Sequence, residues 1–115
     1  MNQVETLGQA QRRFAKMVAE LILYIYSQGY EVTLGDAFRD PRSHGAQGVA
    51  GPYGGAYSAH KNKLAVDLNL FKNGVYLPET SSHQQFGEWW ESKGGTWGGR
   101  FHDGNHYSLT FGGIS

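Results

Sequence analysis

An α+β fold, a small antiparallel sheet with helices packed on one face, is what this sequence predicts, and three observations predict it. Apolar residues at three- and four-residue spacing open the chain, strictly alternating stretches follow, and an Asn-Gly dipeptide separates two of these by the length of a tight hairpin. At 115 residues, a single domain around one core is expected.

From Gln3 to Gln28, Leu7, Ala10, Phe14, Val18, Leu21, Ile22 and Ile25 line one face, with Arg12, Arg13, Lys16 and Glu20 between them. This spacing predicts an amphipathic helix, with Gly29 as its C-terminal stop. Tyr30 to Arg39 alternates, which predicts a strand with Val32, Leu34 and Phe38 inward and Thr33, Ala37 and Arg39 outward. Two prolines and five glycines between Asp40 and Tyr57 suit neither helix nor strand, so a long loop is expected there.

Lys63 to Phe71 alternates again, with Leu64, Val66, Leu68 and Leu70 on one side and Ala65, Asp67 and Asn69 on the other. Asn73-Gly74 then predicts a two-residue hairpin and a return strand from Val75 to Leu77. Beyond Pro78, Ser81 or Ser82 can cap a helix to about Lys93, anchored by Phe86, Trp89 and Trp90 and ended by Gly94-Gly95. A last strand is expected from His106 to Phe111, with Tyr107, Leu109 and Phe111 inward. That parity points His106 to the same polar side as Asp67.

Ten basic side chains balance ten acidic ones, so the positive field that accompanies nucleic-acid or anionic-membrane binding is missing. The chain has no cysteine, which removes disulfides and thiolate ligands and leaves His, Asp and Glu as the strong metal ligands. The longest apolar run, Met17 to Tyr26, is broken by Glu20, is too short to span a bilayer and lacks a signal-peptide cleavage site. A protein made in the cytoplasm, with no membrane insertion and acting as a monomer, is the expectation.

Chemistry concentrates in two places, His60 and Asp67 in SAHKNKLAVDL and His106 in GRFHDGNHYSL. Two imidazoles and a carboxylate are the ligands a catalytic zinc ion takes while keeping a fourth position open. Alone, Asp67 reads as a salt-bridge partner, since an ionised carboxylate among aliphatic residues needs a counter-charge; the two histidines turn that reading toward a cation. Asp103 suits the turn Asp-Gly-Asn, yet three residues before a ligand it is also placed to act as base on the attacking water. Arg39, on the outward side of its strand, is a candidate to bind a substrate carboxylate or steady an oxyanion. His44 and His83 read as surface or satisfied core, His102 as a polar lining of the site, Trp97 as a packing anchor, and Glu88 and Glu91 as the solvated face of the second helix.

Ser58-Ala59-His60 with Ala65-Val66-Asp67-Leu68, then Gly95-Thr96-Trp97-Gly98-Gly99 and Asp103-Gly104-Asn105-His106-Tyr107, together resemble the zinc peptidases that include D-alanyl-D-alanine carboxypeptidases and dipeptidases. Within that group the pattern is most similar to the L-alanyl-D-glutamate peptidases of phage endolysins, where the base is Asp rather than Glu. The resemblance implies a Hedgehog/DD-peptidase-like fold, Zn2+ held by His60, Asp67 and His106, Asp103 as catalytic base, and Arg39 and Ser58 as substrate or transition-state contacts. It implies as substrate the stem peptide of bacterial peptidoglycan, reached after release through a membrane lesion made by a helper such as a holin. Rival readings are a D,D- or L,D-carboxypeptidase of the same family, a non-catalytic zinc-binding recognition domain, and a non-haem iron oxygenase with the same donor set. The last places its His and carboxylate one residue apart, against seven here.

Overall fold

Thr6 decides where the first helix begins. In the computed structural model, which describes residues 4–37, 47–48 and 57–115, Thr6 has extended backbone angles and its hydroxyl accepts the Gln9 N–H at 3.2 Å. The Gln9 side chain accepts the Thr6 N–H at 2.9 Å in return, closing a capping box. Helix α1 therefore spans Leu7–Ser27 rather than starting at Gln3, and it ends where Gly29 adopts a φ of +86°. Ala10, Phe14, Met17, Leu21 and Ile25 are its buried residues, with Leu7, Val18 and Ile22 partly covered beside them.

Strand β1 covers only Glu31–Leu34, a shorter element than the alternation from Tyr30 to Arg39 predicts. Val32 is half-buried as expected, but Leu34 is exposed. The strand lies at the sheet's margin, where an inward parity no longer guarantees cover. Phe38, Arg39 and nearly all of the expected loop lie outside the described residues.

Strand β2, Ala65–Lys72, is the spine of the sheet. It pairs antiparallel with β1 through its C-terminal half, Leu34 opposite Leu68 and Glu31 opposite Phe71. Asn73 and Gly74, both at positive φ, form the hairpin to β3, Val75–Leu77, as their sequence predicts. Leu64, Val66, Leu68 and Leu70 are buried, while Asp67 and Asn69 are only half-covered on the other side. Ala65 departs from the expected pattern: it is buried too, beside buried Ser108, so the polar face opens only from Asp67 onward.

Beyond Pro78 the chain coils through a 3-10 turn, Thr80–His83, directly into α2, Gln84–Ser92. Ser81 and Ser82 already lie inside that turn, so neither caps α2; His83 occupies the capping position, and no side chain bonds the helix end from there. Strand β4, Thr96–Trp97, went unanticipated, being two residues long between glycines. A 3-10 turn, Gly98–Phe101, follows it, and β5, His106–Ser108, closes the order β1-β2-β5-β4 with β3 attached to β2. β5 is shorter than the predicted stretch to Phe111, although the Leu109 N–H still bonds the Leu64 carbonyl and Phe111 bridges to Ile114.

Both helices cover the face that carries Val66, Leu68 and Tyr107. Trp90 of α2 sits at the centre, edge-on to Phe14 of α1 at 5.8 Å and to Tyr107 of β5 at 6.0 Å, and its indole N–H satisfies the Ser108 carbonyl at 2.9 Å. Among the described residues both helices lie on that face, and Asp67 and His106 lie on the opposite one.

Candidate metal centre

The β2–β5 register brings the first two site residues together. Asp67 and His106 are direct partners across the strands, on the face away from Val66 and Tyr107. His106 Nδ1 lies 3.3 Å from an Asp67 carboxylate oxygen. His60 arrives from outside the sheet, on a 3-10 turn of Ala59–Asn62 that precedes β2. Its Nε2 is 3.3 Å from the same Asp67 oxygen, and its ring centre is 5.1 Å from that of His106.

His60 is almost fully buried, and its Nδ1 lies 2.8 Å from the Ala37 carbonyl. A carbonyl only accepts, so that nitrogen carries the proton, and Nε2 of the neutral ring turns a lone pair toward a carboxylate oxygen. Two acceptors at that distance need a proton or a cation between them. Bonds of about 2.0–2.1 Å to a tetrahedral ion set its ligand atoms about 3.3–3.4 Å apart, which is the spacing Asp67 keeps to both histidines. Among the described residues, His60, Asp67 and His106 form the one group of this kind, with ligand atoms all within 4.8 Å of one another. The donor set, and the spacing of Asp67 to each histidine, suit a metal ion such as zinc.

Electrostatics point the same way. Burial raises the Asp67 carboxyl, but the hydrogen bond from His106 and the His60 ring beside the same oxygen outweigh it and hold the group well below the usual carboxylate range. Asp67 is ionised at neutral pH, as a metal ligand must be.

A cavity of about 310 Å³ opens over His60 and His106, and Asp103 stands exposed on its lining. The Asp103 turn is held from three sides. The Asp103 N–H bonds the Gly98 carbonyl at 3.0 Å, Trp97 Nε1 donates to the Gly104 carbonyl at 2.8 Å, and the Gly104 N–H reaches the Thr80 hydroxyl at 3.2 Å. Gly98 permits this packing, because a Cβ there would overlap the Asp103 carbonyl and the His106 side chain. Trp97 is thus the buried anchor its glycine-rich setting predicts.

Ser58 also lines the cavity, while its hydroxyl accepts the His60 N–H at 3.2 Å and caps the turn. Arg39 and His44 lie outside the described residues. His83 is satisfied core, its Nδ1 2.8 Å from the Tyr107 hydroxyl. His102 corrects its expectation: it is exposed at the left-handed end of the Gly98–Phe101 turn and does not line the cavity, because the chain reverses there and turns its ring to solvent. Glu91 is not merely solvated, since it forks onto Arg100 at 2.7 and 3.2 Å.

Sequence reasoning did not reach Ala37 or Gln47. Ala37 acts through its backbone carbonyl, which no side-chain pattern reveals. Gln47 sits in a glycine-rich stretch without periodicity, yet it bonds both backbone groups of Ser58. Tyr57 and Phe101, exposed aromatics on the cavity lining, were likewise unflagged.

Residues 53–109, just under half of the chain, match the family model described as D-alanyl-D-alanine carboxypeptidase. The matched span contains His60, Asp67, Asp103 and His106 and stops short of Arg39. No curated protein matches the chain. The match supports this peptidase family, and among the described residues no helix is long and apolar enough to cross a membrane.

Proposed function

We propose that this chain is a zinc-dependent peptidase that hydrolyses an amide bond in the stem peptide of bacterial peptidoglycan, as an L-alanyl-D-glutamate endopeptidase. The observation that carries the reading is the convergence of His60, Asp67 and His106 under a cavity whose lining includes Asp103. These three side chains would hold the ion. Bound there, zinc supplies Lewis acidity, bringing the pKa of water toward about 7 and polarising a carbonyl.

The chain's own residues do the rest. Asp103 accepts the proton of the attacking water and returns it to the departing nitrogen, so the amide leaves as a neutral amine. Its turn is pinned through Trp97, Thr80 and Gly98, which keeps the carboxylate at a constant place while its protonation changes. The Ala37 carbonyl holds the His60 ring in one tautomer. Ser58, on the cavity lining, is the proposed contact for the peptide. Arg39 as a contact for a substrate carboxylate or oxyanion rests on the family resemblance.

A D,D- or L,D-carboxypeptidase is the second reading, and the description of the matching family favours it. Asp in place of Glu at the base favours the endopeptidase. Zinc-loaded protein incubated with purified sacculi, followed by mass identification of the new termini, separates the two. New N-terminal D-glutamate is expected; release of D-alanine alone would make the chain a carboxypeptidase, and bound zinc without any cleavage would make it a recognition domain.

A further inference from the structure

His60 stands on a short turn outside the sheet. Its 3-10 turn is four residues long, and such turns are poor at holding their own geometry. Within it the Lys61 N–H bonds the Ser58 carbonyl at 3.1 Å and the Lys63 N–H bonds the His60 carbonyl at 3.2 Å, and the Leu64 N–H closes it onto the Ala59 carbonyl at 2.9 Å. The contacts that reach the turn from elsewhere are shorter. At its start, the Gln47 side chain bonds Ser58 twice: the Ser58 N–H donates to Oε1 at 2.7 Å, and Nε2 donates to the Ser58 carbonyl at 2.6 Å. At its end, Nε2 of Gln11, on α1, donates to the Asn62 carbonyl at 2.8 Å.

We propose that Gln47 and Gln11 are positioning residues that clamp the two ends of the His60 turn and thereby set the metal affinity of the centre. The inference rests on the reading of His60, Asp67 and His106 as a metal centre. A primary amide is the chemistry the Ser58 end requires, since it must offer a donor and an acceptor side by side. Glutamate keeps the acceptor and loses the donor, and alanine loses both. The Gln11 end asks only for a donor, so its contribution is the smaller. Ser58 in turn caps the turn through its hydroxyl, so displacement of its backbone passes directly to the His60 N–H.

The test is a titration of the metal-free protein with Co2+ alone, read by the d–d absorption of the bound ion and accompanied by thermal unfolding without metal. Gln47→Ala is expected to weaken Co2+ binding about tenfold, at the low end of what supporting residues around metal ligands contribute, with Gln47→Glu weakened less and Gln11→Ala, which loses only one donor, weakened least. The band intensities should shift in Gln47→Ala as His60 moves. A lowered unfolding temperature with unchanged affinity and spectrum would reduce the glutamines to ordinary loop anchors and overturn the inference. Should Gln47→Ala fail to fold, unchanged affinity in both Gln47→Glu and Gln11→Ala overturns it equally. If the unmodified protein binds no Co2+, the metal-centre reading itself fails and this inference falls with it.

Discussion

The two halves of the candidate metal centre are held by different physics. Asp67 and His106 sit opposite each other in neighbouring strands, where the pleat and the register of β2 on β5 fix both side chains at once. His60 rides on a short turn whose place depends on individual hydrogen bonds to Ala37, Gln47 and Gln11. A site built this way has a rigid wall and an adjustable one. Damage to the wall should abolish the centre, and damage to the turn should only tune it.

The largest expected effect is the loss of the oxygen shared by both histidines. Asp67→Ala should lower metal affinity by more than about 100-fold, as expected when a direct ligand is lost rather than one of its supports; metal content after dialysis checks this. Next comes Gly98→Ala, which forces a methyl group against the Asp103 carbonyl and His106, at about 1–3 kcal/mol for overpacking. Denaturant unfolding should show that loss, and metal affinity should fall with it because β5 is displaced.

A pH titration separates the sheet from the turn. His83, buried behind β5 against Tyr107, has its pKa lowered from 6.5 to about 4 by desolvation. The unfolded chain therefore binds a proton that the folded one refuses between those values, so stability is full above about pH 6.5 and declines as pH falls toward 4. The loss should reach roughly 2–3 kcal/mol in metal-free protein, and His83→Gln should flatten that part of the profile. The smallest effect belongs to Thr80→Val, which deprives the Gly104 N–H of its acceptor at about 1 kcal/mol and should slow turnover while leaving zinc content unchanged.

The same contrast explains what could be read in advance. Alternation along Leu64 to Leu70 and at Tyr107 and Leu109 placed Asp67 and His106 on one polar face, because a strand's parity is a local property of its sequence. The Asn73-Gly74 hairpin was legible for the same reason. His60 could be identified only by its chemistry, since its position comes from a turn clamped by residues 11, 37 and 47, remote in sequence and partly backbone. Strand β4 escaped because two residues carry no period, and Leu34 misled because edge position, not parity, decides its exposure. Ser81 and Ser82 looked like caps, but the coil had already begun at Thr80.

The most direct test of the central claim, a hydrolytic metal centre served by Asp103, is the Asp103→Asn variant assayed for zinc content and for cleavage of sacculi together. It should keep stoichiometric zinc, because Asp103 stands apart from the three converging ligands, and lose turnover, because the amide cannot carry the proton. Full cleavage activity in that variant would contradict the account.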